Sequence, residues 1–407
     1  MIFYIAWRNI WRNKLRSLVV ILAVTLGLFG TLFMISITNG MVEQKIDASI
    51  QNEISHIQIH KAEFLQDQSL AFSLDSAHQM ETEIENIQGV KAVTSRIKAM
   101  AMASTAATGA GVMVNAIEPE KEKEVTQLYN FITEGSYFEG TSRSAPILIS
   151  KKLSTKLKAK VGSKIVITIQ HISGELAYGL FRVTGIYKTG NAMFDEPNIF
   201  VKKEDLIELT GYDPGKESEI AILLDHADAT NSVTETLRAR FPTLSVLPWK
   251  ELAPFLVTLT SMMDQMSYIL LIVILIAMAF GIINTMMMAV LERTRELGML
   301  MAVGMNRRKV FLMIMLETVF LSLVGTATGI AISALTINLT GRNGINFAAW
   351  AEGYEAFGYS ALVYPTLYLN FYIGMTALVI ITAIISSIYP ARKALHFNPA
   401  EAIRVDA

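Results

Sequence analysis

The sequence predicts an α-helical membrane protein: four transmembrane helices, with a large α+β extracytoplasmic domain set between the first and the second. Three observations predict it. Four apolar runs of about 20 residues, the length that spans a hydrocarbon core, lie toward the two ends of the 407-residue chain. Only 17% of residues are charged and 52% are apolar, against about 25% charged in a soluble domain, and the deficit is concentrated in those runs. The stretch 40–262 between the first two runs is soluble in character and mixes strand-like and helix-like patterns.

Residues 1–16 come first. Phe3, Trp7, Ile10, Trp11 and Leu15 recur at helical spacing, with Arg8, Asn9, Arg12, Asn13 and Lys14 on the other side. This is the pattern of an amphipathic helix lying in the membrane interface. Leu18 to Ile37 is the core of the first span, assigned to 17–39. It is too long for a signal-peptide apolar region and no small-residue cleavage site follows, so it is expected to stay as an anchor.

Within 40–262, ISHIQIH (54–60) alternates and predicts a strand. So do KIVITIQ (164–170), YGLFRVTGIYKT (178–189) and EIAILL (219–224). KLSTKLKAK (152–160) and DATNSVTETLRARF (228–241) predict amphipathic helices. Gly-containing turns near 174 and 190 flank a long hairpin-like segment, a candidate second lobe. Pro242, Pro248 and Pro254 punctuate the return to the membrane.

The second span, 263–291, contains an uncharged run from Tyr268 to Val290. Charge then arrives abruptly at Glu292, Arg293, Arg295 and Glu296. A short apolar segment, Leu297 to Val303, stops at Gly304 and is closed by Arg307, Arg308 and Lys309. The segment 292–309 therefore predicts a short surface helix and a sharp turn. The third span is 310–339, the fourth 367–389, with a loop at 340–366 and a tail at 390–407. Lys and Arg cluster in the N-terminal flank, in 292–309 and in the tail, whereas 340–366 carries only Arg342. The positive-inside rule then puts both termini and 292–309 in the cytoplasm, and 40–262 outside.

A net charge of −1 argues against nucleic acid as a partner. The absence of Cys removes disulfides, thiol chemistry and Cys-ligated metals. No Gly-x-x-x-x-Gly-Lys-[Ser/Thr] occurs, so the chain does not cradle ATP phosphates in the P-loop manner. Glu317, eight residues into the third span, is a membrane-embedded carboxylate. The expected partner is Lys309 or Arg308, about 12–13 Å away along the helix axis, in a structural or coupling role rather than an ion site. His56, Gln58 and His60 share a strand face, but zinc needs three or four ligands and no acid or Cys completes the set. A solvated or interface face is the expectation there. Ser95-Arg96-Ile97-Lys98 matches S-x-x-K by chance, with no companion motif. Gly325 and Gly329 form GxxxG in the third span, and Ala277 with Gly281 a small-xxx-small pair in the second. The spacing does not decide between packing within the chain and between chains. The methionines around the second span, such as Met286 and Met299, suit adaptable filling.

NTMMMAVLERTRELGMLMAVGMNRRKVFLMIMLE (284–317) resembles the coupling region of the FtsX-like ABC permeases, the MacB and LolC/LolE group. AWRNIWRNKLRS (6–17) and YPARKALHFNPAEAIR (389–404) are similar to the family's flanking motifs, and HIQIH (56–60) looks most like the LolE-type branch. The resemblance implies a type VII, mechanotransmission permease that binds no cofactor itself. Two permease chains, identical or paralogous, would pair with two ATPase subunits that carry the ATP and Mg. Lipoprotein, lipid or a periplasmic carrier would meet the outer domain. The family's coupling helix maps to about Glu292–Val303. There Arg293, Arg295 and Glu296, with Glu292, would meet a cleft on the ATPase, while Leu297, Leu300 and Met301, at i, i+3 and i+4, would supply an apolar anchor on one helix face. The implied role is lipoprotein extraction from an inner membrane. Export of a peptide or small molecule and signalling to an external hydrolase are alternatives. An ion-coupled carrier would need inverted repeats and midplane charges, and neither is seen.

Overall fold

The computed structural model describes residues 2–12, 14–67, 69–139, 144–350, 353–354 and 358–395; the predicted tail beyond 395 lies outside them. The chain divides into two compact units. One comprises Met1–Val42, Thr260–Asn346 and Leu362–Ala407; the other Glu43–Leu259 and Phe347–Ala361.

Among the described residues, four helices are long and apolar enough to cross a membrane. The first helix runs Lys14–Ser49, the second Pro254–Glu292, the third Arg307–Asn343 and the fourth Leu369–Leu395. At about 1.5 Å per residue the first three exceed 50 Å, so each outruns a 30 Å hydrocarbon core. The N-terminal helix, Ile2–Arg12, buries Ala6 and Ile10, and Phe3 and Trp7 meet Phe320 of the third helix edge-on at 4.7 and 5.7 Å. The third helix is the most enclosed because its small residues admit the first. A Cβ added to Gly325 would lie 2.8 Å from Cβ of Val24, and one on Gly329 3.2 Å from the carbonyl oxygen of Thr25. Thr25 Oγ1 donates to the Gly325 carbonyl at 3.1 Å and shares a 2.7 Å hydrogen bond with Thr328. The GxxxG motif is thus used within the chain. Ala277, by contrast, is exposed, and nothing lies within 4 Å of a Cβ built on Gly281.

The second unit is built on strands β1 (Ile57–His60), β2 (Leu74–Asp75), β3 (Val90–Ser104), β4 (Gly109–Ile117), β5 (Ile132–Gly135), β6 (Ala145–Ser150), β7 (Lys164–Gln170), β8 (Leu176–Tyr187), β9 (Asn198–Lys202), β10 (Lys216–Glu217), β11 (Glu219–Leu224) and β12 (Ser245–Pro248). The pairings β3-β4-β9-β6-β8-β7 return to β3 and close a ring of six strands. Closure removes sheet edges. The ring's interior holds Ala99, Ala103, Ile165, Ile167, Ile169, Phe181 and Val183. The first half of β3 instead joins β11, β1 and β12 in an open sheet. Helices Ala77–Glu85 and Thr230–Arg240 contribute to its separate core. The 15-residue strand β3 is therefore shared by two lobes. The hairpin foreseen around Gly174 is β7–β8, two sides of the ring rather than a lobe of its own.

One expectation fails here. Gln58 and His60 are buried, not solvated. β1 is an interior strand between β11 and β12, with His60 stacked on Phe64 at 5.4 Å and bonded through Nε2 to Gln58 Oε1 at 2.9 Å. With β1 covered on both faces, its polar side chains are buried and pair with each other rather than with water.

Candidate functional site

The segment between the second and third membrane helices folds as a tight helical hairpin. The second helix ends at Glu292, Arg293 leaves helical geometry (φ −104°, ψ 14°), and a short helix runs Thr294–Ala302. Its end is closed by backbone bonds from Met305 N to the Leu300 carbonyl at 2.9 Å and from Gly304 N to the Met301 carbonyl at 3.1 Å. This pair of bonds is the Schellman arrangement, which places the residue after the helix in left-handed geometry. Gly304, at φ +101°, supplies it without a Cβ clash. Asn306 then caps the third helix, its Oδ1 accepting from Arg308 N at 3.1 Å. Four residues, 303–306, thus turn the chain between two helices.

Because the hairpin is so short, Arg293 and Glu317 stand opposite one another, eleven residues before Gly304 and eleven after Asn306. Arg293 Nη1 donates to both Glu317 oxygens, at 3.0 and 3.1 Å, and Nε donates to Glu296 at 3.2 Å. Arg12 of the N-terminal helix also pairs with Glu296. The partial burial of Glu296 works to raise its pKa, but the hydrogen bonds from Arg12 and Arg293 outweigh this and hold it below the ordinary carboxylate range. Arg293 is thus a partner of Glu317, in place of the expected Lys309 or Arg308. Distance along one helix axis was the wrong measure, because the chain folds back.

The apolar face also turns inward. Leu297 is buried, and Leu300 and Met301 are partly buried against the membrane helices' own core. They anchor the short helix to this chain rather than standing out from it. Of the sequence-derived candidates, Glu292 and Arg295 are exposed, as are Met299 and Val303. An amphipathic short helix has two possible apolar customers, and sequence alone does not choose between its own chain and a partner.

A second cluster, which the sequence did not reveal, lies in the other unit where β3 passes from the open sheet into the ring. Arg96 forks onto Glu122 (2.8 and 3.0 Å) and donates to Glu219 at 2.8 Å. Lys98 meets the other Glu219 oxygen at 2.8 Å, and Thr126 donates to Glu122 at 3.0 Å. Arg96 also donates to the carbonyl of Glu53, at 3.0 Å, within the π-turn Ile50–Ile54 that continues the first helix. Burial would raise the carboxyl of Glu219, yet Lys98 and Arg96 dominate and hold it well below its usual range. Burial pushes the imidazole of His60 downward, to the neutral form. Among the described residues no group of three or more His, Asp or Glu is arranged to hold a metal ion.

Helices of this length with an α/β domain between the first and second define a multi-pass membrane protein. The sequence matches the model of the FtsX-like permease C-terminal region over residues 268–399 and that of the MacB-like periplasmic core domain over residues 17–240. The chain belongs to the FtsX-like, MacB-type family of ABC transporter permeases. It is 23% identical to the lipoprotein-releasing system transmembrane protein LolC of Neisseria meningitidis, over 96% of this chain and 94% of that one. It is 24% identical to an uncharacterized ABC transporter permease of Methanocaldococcus jannaschii, over 98% and 96%. Among solved structures, the periplasmic region of MacB from Actinobacillus actinomycetemcomitans is similar at a TM-score of 0.36 and 9% identity, over 54% of this chain and 98% of that one.

Proposed function

We propose that the chain is a permease subunit whose ATPase is a separate subunit, and that ATP hydrolysis there moves the extracytoplasmic domain to release lipoproteins from an inner membrane. The observation that carries the coupling half is the brace Arg293–Glu317. It ties the short helix to the third membrane helix, so a force on the short helix is felt by the membrane helices. The lipoprotein half rests on similarity to LolC along nearly the whole chain. The placement of both termini in the cytoplasm rests on the Lys and Arg distribution.

The ATPase would meet the exposed face of Glu292, Arg295, Met299 and Val303, which recur at near-helical spacing of three and four residues. Arg293, Glu296, Leu297, Leu300 and Met301 position that face. The ATPase would bring the ATP and Mg, in two copies beside a second permease chain. The test is co-purification and ATP turnover of the full complex with Glu292→Ala and Arg295→Ala combined. Loss of association is the expected result. A complex that still assembles and hydrolyses ATP normally would rule out this face.

A further inference from the structure

A groove of about 340 Å³ opens in the membrane unit between the first, second and fourth helices. This lies at the lower end of the roughly 300–1,000 Å³ typical of small-molecule sites. Its lining falls into two levels. Asn39, Asp264, Ser267 and Asn370 form the polar level. One to two turns further into the apolar runs, Ile35, Leu271, Met375 and Leu378 form an apolar level. Asp264 precedes the uncharged run that begins at Tyr268 by four residues, about 6 Å. From Val290 at the other end of that run to Asp264 is about 39 Å of helix. A bilayer with its headgroups measures about 40–45 Å, so Asp264 lies at headgroup depth while Leu271 and Leu378 lie among acyl chains. No cation of the chain pairs with Asp264 among the described residues. Gly374 keeps the wall open, since nothing lies within 4 Å of a Cβ built there.

We propose that this groove binds one phospholipid with a primary-amine zwitterionic headgroup, a phosphatidylethanolamine. Its ammonium pairs with Asp264, its phosphate accepts hydrogen bonds from Asn39, Ser267 and Asn370, and one acyl chain runs along Leu271, Met375 and Leu378. The charge pattern selects the occupant. An anionic glycerol headgroup would bring a phosphate beside the carboxylate with no cation between. A quaternary choline has no N–H to donate.

The test is native mass spectrometry of the full chain, delipidated in detergent and offered equimolar phosphatidylethanolamine and phosphatidylglycerol. The wild type should retain the ethanolamine lipid about ten-fold over the glycerol lipid, the worth of one charge-assisted hydrogen bond. Asp264→Asn should bring the two within about two-fold, and Gly374→Leu should lose both. An unchanged lipid ratio in Asp264→Asn overturns the proposal, whether or not Gly374→Leu folds. So does a photoactivatable phosphatidylethanolamine that labels the exposed face of the second helix evenly instead of concentrating around Leu271 and Met375.

Discussion

Each unit of the molecule contains an arginine held between two carboxylates, and the two arginines differ in how far water reaches them. Arg96 and its partners Glu122 and Glu219 are almost wholly removed from solvent, with side chains 4, 1 and 1% exposed. The chain Glu317–Arg293–Glu296–Arg12 is graded, running from 10 and 13% exposure at Glu317 and Arg293 to 44 and 51% at Glu296 and Arg12. A fully desolvated cluster is stable only as a complete set, because the attraction must offset the cost of taking every charge out of water. A graded one loosens from its wet end. The first arrangement fixes β3, β11, helix Pro119–Val125 and the π-turn at 50–54 in one geometry. The second fastens the short helix firmly to the third membrane helix and only lightly to the N-terminal helix.

The largest effect is expected at Arg96. Arg96→Ala leaves Glu122 and Glu219 buried without their shared counter-charge, and breaking a buried pair this way costs about 3–5 kcal/mol. That is a large share of a domain's stability. Chemical unfolding of the full chain, followed by protease accessibility of residues 43–259, should show that unit losing its cooperative transition while the membrane helices persist. A variant whose unfolding free energy falls by less than about 1 kcal/mol would show that the cluster does not fix the junction of the two lobes.

Next comes Arg293–Glu317. Single replacement by Ala of either residue removes a charge-assisted contact from Arg293 Nη1 to both Glu317 oxygens, worth about 1.5–3 kcal/mol. In a double-mutant cycle on thermal stability in detergent, the double variant should lose much less than the sum of the two singles. Strict additivity would mean that the two side chains do not hold each other, and the brace between the short helix and the third helix would have to come from the apolar packing of Leu297, Leu300 and Met301.

How much of this was visible beforehand follows the same contrast between complete burial and graded exposure. Strands at 57–60, 164–170, 176–187 and 219–224 and helices at 151–157 and 230–240 declared themselves through periodicity. β3 did not. In VKAVTSRIKAMAMAS the ring's inward positions are alanines, Met100 and Met102 point outward, and Arg96 sits where an apolar residue is expected, so the two-residue period is blurred. Arg96 and Lys98 looked like a chance S-x-x-K match because their partners lie 26 and about 120 residues away, and no spacing rule reaches that far. The short helix was legible in position and in its Gly304 turn, since both are local. Its orientation was not, because a 9-residue amphipathic helix carries the same pattern whether its apolar side meets its own chain or another.

The smallest effect is expected at Arg12. It bonds Glu296 from the N-terminal helix, but both side chains are about half exposed, and exposed ion pairs are typically worth 0.2–1 kcal/mol and are screened by salt. Arg12→Ala should therefore barely move the thermal midpoint, and less still at high ionic strength, because Ala6, Ile10 and the Phe3 and Trp7 contacts with Phe320 continue to hold that helix. The sharper readout is mobility. A spin label on the solvent side of the N-terminal helix should gain motion in Arg12→Ala at low salt and show no further gain when salt is raised, whereas the wild-type helix should loosen with salt. If Arg12→Ala instead destabilised the protein as much as Glu317→Ala does, the network would be one buried unit like that around Arg96, and the graded attachment of the short helix would be wrong.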